Sequence, residues 1–304
     1  MTKKSLSIAN FKSIKIEDKP IFDEHYKKYP PVHSDNNFTT LVSWMHYGKY
    51  KYTIKQKNLI ILSQIDKQIR LRPATGEFNK NIMDEVIDLA KKQESDYPFG
   101  VIDKKTKEIL NKNYPKMKFT SHRDYYDYVY LASDLVNLSG SKYSKIRNRL
   151  NKFKKNTKYK TEKIDENNID QVKKFLKRWC IWKDCESDKI LKAEKKAIFF
   201  SMNNFFELNL SGILITVKDK IEAISVFEKL NKNTALIHYE KGSPDYDGIY
   251  KTINNEAAKI IQKKFKYINR ESDMGIQGLR KAKKSYRPHH MIKVYHVSKD
   301  GLIK

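Results

Sequence analysis

The sequence predicts a mixed α/β (α+β) chain made of two similar halves. Three observations carry this. Residues 234–240 read as a strand, with Thr234, Leu236 and His238 alternating against Ala235, Ile237 and Tyr239. A polar turn holding Gly242 and Gly248 follows, and then an amphipathic helix over 249–265, in which Ile249, Ile253, Ala257, Ile260 and Ile261 share one face. The order helix, hairpin, strand, turn, helix, strand, helix occurs once in each half, the two turn-and-helix units lying about 170 residues apart.

The 304-residue length fits two domains, and a hydrophobic content of 39% is enough for two cores. The balance of 62 basic to 36 acidic residues gives a net charge of +26. Such a charge points to a polyanionic partner: RNA, DNA, an anionic membrane surface or a phosphate-rich cofactor. The abundance of Lys, Asn and Ile also fits a compositional bias of the genome. Cys180 and Cys185 lack a second ligand pair, which argues against zinc, and they make no disulfide framework, which places the chain in a reducing cytoplasm. No apolar run is long enough to span a bilayer, and the opening MTKKSLSIANFKS has no leader-like core.

In the first half, residues 18–28 read as a helix that the Tyr29-Pro30-Pro31 run ends. Residues 50–54 and 59–65 make a hairpin, 68–72 a third strand, 81–92 a helix, 97–102 a strand and 104–111 a short helix. In the second half, helices over 169–179 and 190–208 precede a hairpin of 213–217 and 221–227 around Lys218-Asp219-Lys220. After the 234–265 unit come a strand over 266–271, a short helix over 277–284 and a last strand over 291–297. The domains are therefore drawn as 1–123 and 161–304, joined by a connecting basic helical segment over 124–160.

The run 267–288, YINRESDMGIQGLRKAKKSYRP, resembles the closing motif of the phosphatidylglycerol lysyltransferase C-terminal domain family. In that motif Gly-Leu-Arg-x-x-Lys-x-x-aromatic-x-Pro follows a strand; here it is Gly278, Leu279, Arg280, Lys283, Tyr286 and Pro288. Residues 128–153 resemble the middle of soluble members of the family. The resemblance implies two tandem GNAT-like acyltransferase domains, as in the Fem-type aminoacyltransferases, with the active site at or near their junction. It also implies transfer of an aminoacyl group from aminoacyl-tRNA to a lipid head group, a peptide or a small amine or hydroxyl acceptor. Unlike the membrane enzymes of the family, this chain carries no long transmembrane half.

Aminoacyl transfer asks a protein to position an acceptor, stabilise an oxyanion and let a proton leave. Lys283 and Arg280, at i, i+3 on a short helix, are the candidate cations for that work, and Glu271 and Asp273 the candidate proton acceptors or ammonium ligands. Asn269, Glu271 and Asp273 alternate and are expected on one strand face. Tyr239, Glu240 and Asp247 sit at the C-terminal end of a strand, where open α/β sheets place ligands, with Tyr250 and Asn254 on the helix beyond. With Asn269 and Tyr286 they form the candidate substrate-binding set. The helix that starts after Gly248 is expected to offer free N–H groups to an anion. The adjacent His289 and His290 are expected to point apart, so no metal site is assigned.

The segment 142–160 holds nine basic residues and no acid. Tyr143, Ile146, Leu150 and Phe153 form an apolar stripe beside a basic one, so Lys142, Lys145, Arg147, Arg149 and Lys152 are the candidate nucleic-acid contacts. tRNA is the expected partner, and the same helix suits an anionic membrane surface, on the inner face of the membrane. No cofactor is expected. The stretch 241–248 is acidic where coenzyme A would sit, which ranks acyl-CoA below aminoacyl-tRNA as the donor. Two alternatives stay open: an acyl-CoA-dependent GNAT N-acyltransferase, and a non-catalytic protein that binds RNA or an anionic surface.

Overall fold

A computed structural model describes residues 5–304, so the first four residues of the stretch read for a leader lie outside it. The chain forms two compact units. One runs to Tyr126 and takes back Ile292–Lys304, and the other is Asp127–Met291.

In the first unit, β1 (Lys12–Ser13) precedes α1 (Lys19–Lys28), which has a proline in its first turn. The short helices α2 (Phe38–Ser43) and α3 (Met45–Gly48) follow, and Asn37 caps α2 by accepting from Thr40 N at 3.2 Å. Then come β2 (Lys51–Lys55), β3 (Asn58–Ile65) and β4 (Gln68–Leu71). Gln56 and Lys57 join the first two with φ of 48° and 64°, the left-handed pair whose twist matches a two-residue hairpin. Next are α4 (Lys80–Lys91), β5 (Phe99–Ile102), α5 (Lys104–Asn113) and β6 (Thr120–Ser121). Asn79 and Asp103 cap the two helices. The apolar face of α4 (Ile82, Met83, Val86, Ile87, Ala90) packs with Ile60, Leu62, Leu71 and Phe99 of the sheet.

The second unit opens with β7 (Asp127–Leu131), α6 (Ala132–Asn137) and α7 (Ser144–Asn156). β8 (Lys160–Lys163), α8 (Ile169–Trp182), α9 (Lys189–Asn203) and β9 (Ser211–Val217) follow. Then come β10 (Lys220–Asn231), β11 (Thr234–Gly242), α10 (Ile249–Ile261), β12 (Tyr267–Asn269), α11 (Gln277–Ser285) and β13 (His290–Ile292), after which β14 (Tyr295–Val297) returns to the first unit. On α10, Ile249, Ile253, Ala257 and Ile261 are all at or below 2% exposed, and each buried isoleucine contributes about 1.5–3 kcal/mol.

Both sheets have seven strands in matching order: β1-β2-β3-β4-β5-β14-β6 and β8-β9-β10-β11-β12-β7-β13. In each, an antiparallel meander meets one parallel pair, β4 with β5 and β11 with β12. In each, the strand beside that pair is distant from it in sequence: β14, near the end of the chain, lies beside β5, and β7, the first strand of the second unit, lies beside β12. β7 follows the first unit in sequence but joins the second sheet, and β14 follows the second unit but joins the first sheet.

This exchange moves the expected boundaries. The segment 124–160 is not a connector: from Asp127 onward it supplies β7, α6 and α7 to the second unit, and its apolar stripe is buried in that unit's core. The expected strand over 291–297 is two strands, β13 and β14, in different sheets. The expected strand over 266–271 stops at Asn269, because Asn269 Oδ1 accepts Glu271 N at 2.7 Å and Glu271 takes φ +57°.

Candidate active site

The parallel pair of the second sheet registers over Thr234↔Tyr267, Ala235↔Ile268 and Leu236↔Asn269. Beyond Leu236, β11 runs on to Gly242 while β12 has ended, so the two strands part. At that point β11 carries a bulge. Val226 pairs with Tyr239 and Phe227 with Ile237, leaving His238 as the extra residue. A bulge re-aims a side chain and breaks the ladder locally, a device common beside functional sites.

His238 is buried between two carboxylates, with Nε2 2.7 Å from Glu228 Oε1 and Nδ1 3.2 Å from Glu271 Oε1. Burial alone would lower its pKa, but the two carboxylates outweigh it and raise the imidazole to about 9. At neutral pH it is an imidazolium that orients Glu271, whose side chain stays 34% exposed.

Two residues along β11, Glu240 Oε2 pairs with Arg270 Nη2 at 2.8 Å and accepts from Asn254 Nδ2 at 3.2 Å. Arg270 lies between two aromatic rings, 5.7 Å from the centroid of Tyr130 and 4.8 Å from that of Tyr286. Burial works against its charge, and Glu240 more than restores it. Lys251 lies 4.5 Å over the other side of the Tyr286 network, its ammonium pushed down to about 8 by burial first and then by Arg270. Four polar atoms of this cluster are buried without a hydrogen-bond partner: Glu240 Oε1, Asn254 Oδ1, Arg270 Nη1 and the hydroxyl of Ser225, which faces Glu240 across β10 and β11. Orphaned buried polar atoms are rare, and four from neighbouring residues mark a place for a polar ligand.

The turn after β12 is held from beneath. Lys283 Nζ donates to the carbonyl of Arg270, to Glu271 O at 3.1 Å and to Ser272 O at 2.6 Å. Burial pushes this ammonium down to about 8, so it stays protonated at neutral pH. Asp273 is fully buried. Arg280 grips it in a two-point contact (Nη2 to Oδ1 2.7 Å, Nε to Oδ2 2.9 Å), and Tyr128 OH donates to it at 2.6 Å. Burial opposes its charge, but these donors hold the carboxyl well below the usual range. Asn269 is equally committed, donating to Asp127 Oδ2 at 2.8 Å.

The structure thus separates the candidate residues. Glu240, Asn254, Tyr286 and Glu271 come together around Arg270 and His238. Lys283, Arg280, Asp273 and Asn269 brace the turn that carries Arg270 and Glu271, and the one-face alternation expected of Asn269, Glu271 and Asp273 does not form. Tyr239 turns to α9, its hydroxyl 3.1 Å from Ser201 Oγ. Tyr250 accepts from Trp179 Nε1 at 3.1 Å, and Asp247 is exposed, 3.6 Å from Lys152 Nζ. Arg270 and His238 are not among the sequence candidates; His238 appears there only as a position in an alternating strand. A histidine in the centre of an apolar strand was the available signal.

The helix start expected to receive an anion is covered. Gly248 (φ +92°) packs so closely on α7 that a Cβ there would meet Arg149 O at 2.5 Å, and Ile249 N already donates to Tyr246 O at 3.2 Å. His289 and His290, expected to diverge, bring their Nδ1 atoms to 2.8 Å, with ring centroids 5.1 Å apart. No group of three metal-ligating side chains occurs among the described residues. Cys180 and Cys185 are free and buried, and burial first, then Cys185, pushes the Cys180 thiol up to about 12.

On α7, Lys145, Arg149 and Lys152 are exposed, as is Lys142 in the turn just before it, while Ile146, Leu150 and Phe153 are buried. Arg147 is different: its guanidinium donates to Leu138 O at 2.5 Å and Gly140 O at 2.6 Å, clamping the end of α6. No helix among the described residues is long and apolar enough to cross a membrane.

Two matching mixed sheets, each with a parting parallel pair, define a tandem GNAT-like protein. FemX has this arrangement, with a TM-score of 0.54 at 9% identity over 96% of this chain and 98% of that one. The family model described as phosphatidylglycerol lysyltransferase, C-terminal, matches residues 26–298, and the chain belongs to that family. L-PGS from Bacillus licheniformis shares the fold at 11% identity and TM-score 0.63, covering 93% of this chain and 92% of that one. A protein of unknown function from Bacteroides thetaiotaomicron is nearer, at 29% identity and TM-score 0.88, over 97% and 99% of the two chains. An uncharacterised protein of Mycoplasmoides gallisepticum is 27% identical over 181 residues, 57% of this chain, and the match spans about half, 56%, of that relative. Family and fold together give an acyltransferase-like function of the lysylphosphatidylglycerol synthase C-terminal type.

Proposed function

We propose that the protein transfers an aminoacyl group from aminoacyl-tRNA to a hydroxyl or amine acceptor, in the parting between β11 and β12. The observation that carries this reading is the set of unpartnered atoms around Arg270. Glu240 Oε1 and Asn254 Oδ1 are acceptors, and Arg270 Nη1 is a donor. An aminoacyl ester presents their complement: an α-ammonium for the two acceptors and a carbonyl oxygen for the guanidinium. Arg270, fixed by Glu240 and two tyrosine rings, is preorganised for charge that develops on that oxygen.

The acceptor nucleophile attacks the acyl carbon and passes its proton to Glu271, which His238 holds in place. The bond from the acyl carbon to the ribose oxygen then breaks, and Glu271 returns the proton to that oxygen. The exposed basic stripe of α7 gives the tRNA phosphates a partner. The acidic 241–248 stretch and the covered start of α10 support this donor over acyl-CoA. With no membrane-spanning helix among the described residues, a lipid acceptor would require the protein to lie on the membrane surface.

The test is a panel of radiolabelled aminoacyl-tRNAs incubated with the protein and with phosphatidylglycerol vesicles, peptide or small-amine acceptors. Label should enter one acceptor class, and Glu271→Gln should cut the rate at least a hundredfold with tRNA binding kept. Saturable coenzyme A binding with acyl transfer, or tRNA binding with no transfer to any acceptor, would overturn the reading.

A further inference from the structure

The first sheet has its own parting strands, and the side chains there differ in charge balance. On neighbouring strands β4, β5 and β14 stand Arg70, Gly100 and His296. A Cβ at Gly100 would meet His296 Nδ1 at 2.4 Å and Arg70 Cδ at 3.0 Å, so both side chains lie over the same bare stretch of sheet. His296 is 5% exposed, and neither ring nitrogen has a hydrogen-bond partner. Its ring is bordered by Tyr97, His122 and Tyr125, with centroids 6.3, 6.0 and 6.3 Å away.

Arg70 stands beside it and Arg72 follows two residues along the chain, and neither has a carboxylate partner among the described residues. Arg70 Nε donates to Tyr97 O at 3.0 Å. Arg72, 4% exposed, donates to Asp35 O at 2.6 Å and Asn36 Oδ1 at 2.7 Å, and its buried Nε has no partner. In the second unit His238 and Arg270 face Glu228, Glu271 and Glu240. In the first unit, Asp35, with 46% of its side chain exposed, is the carboxylate that faces the cluster.

The backbone under His296 is also strained. Tyr295 pairs with Ile102 and Val297 with Phe99, so β5 bulges, and Val101 takes φ +56° there. A β-branched residue is strained in that region, and such strain collects at ligand sites.

We infer that the first unit carries a phosphate-binding site, with Arg70 and the His296 imidazole as donors above Gly100. A phosphate oxyanion supplies what the cluster lacks: negative charge for the Arg70 guanidinium and an acceptor for the imidazole N–H. The group is either a small free phosphate or the head group of an anionic phospholipid. The groups facing His296 are Arg70, His122, Asp35 and His33, and burial first, then Arg70 and His122, pushes the imidazole down to about 3. A bound dianion opposes all of the lowering causes.

The experiment follows the His296 ring by NMR in the full chain while inorganic phosphate is added at constant ionic strength. The expected result is a saturable shift, an upward move of the His296 titration midpoint, and at least tenfold weaker binding in Arg70→Gln. Gly100→Ala should weaken binding too, and Arg70→Gln carries the test if that variant does not fold. Displacement of phosphate by phosphatidylglycerol vesicles identifies the head group as the ligand, and its absence identifies a small phosphate. Shifts that follow ionic strength alone, or unchanged affinity in Arg70→Gln, overturn the site. No aminoacyl transfer is measured, so this outcome is independent of the proposed reaction.

Discussion

Glu240 Oε2 and Arg270 Nη2 meet at 2.8 Å with 9% and 15% of their side chains exposed. Removing one member of such a pair leaves the other charge buried, so Glu240→Ala is expected to cost about 3–5 kcal/mol in the denaturation midpoint. Glu240→Gln keeps the shape and a hydrogen-bonding oxygen, so it should fold. It should still lower kcat/KM tenfold to a hundredfold, because the ammonium of the donor loses its charged acceptor. Normal transfer by Glu240→Gln would sink the assignment of this cluster to the aminoacyl group.

His238 sets a pH dependence of stability. Its pKa is about 9 in the fold against an ordinary value of 6.5, so the folded state holds the proton more tightly. The stabilisation is full below pH 6.5 and is lost as the pH rises through 9, amounting to roughly 3 kcal/mol. Lys283 and Lys251, lowered to about 8, act in the opposite sense from pH 8 upward. The difference in unfolding free energy between the wild type and His238→Gln isolates the histidine. It should shrink steadily between pH 6.5 and 9, and a flat difference would contradict the two-carboxylate clamp.

The contact of α7 with α10 predicts a pair of effects on stability alone. A methyl at Gly248 meets Arg149 O at 2.5 Å and forces φ +92° on a residue with a side chain. Gly248→Ala should therefore destabilise by about 1–3 kcal/mol. Arg147→Met should cost a similar amount, since it strands the carbonyls of Leu138 and Gly140. Urea titration of both variants decides this, and unchanged midpoints would mean that α7 is not fixed on the core.

Much of the fold was legible because its signals are local. The apolar period of α10 and the two hairpins can be read within a dozen residues. The domain boundaries were not legible, since nothing local in 127–131 or 295–297 says which sheet each strand will join. The site was half legible. Glu240, Asn254, Tyr286 and Glu271 follow from a strand end and a motif. The separation of Glu271 from Asp273 rests on a single positive φ, and the prominence of His238 rests on a bulge that only cross-strand register reveals. The alternation rule failed at Asn269 for the same reason: its amide caps the turn instead of continuing the strand.

The exposed stripe of α7 separates electrostatic contact from scaffold. Lys142, Lys145, Arg149 and Lys152 reach solvent, while Arg147 is held by backbone carbonyls. If the stripe holds tRNA phosphates, log affinity should fall linearly with log salt, and each removed contact should flatten that slope by about 0.7–0.9. Lys145→Ala and Arg149→Ala should each do so, weakening binding of charged and uncharged tRNA alike while stability stays within about 0.5 kcal/mol. Lys152→Ala should do less, since that ammonium already lies 3.6 Å from Asp247. The measurement is a filter-binding series across salt concentrations. A slope that survives Lys145→Ala and Arg149→Ala together would move the tRNA contact to another face of the protein.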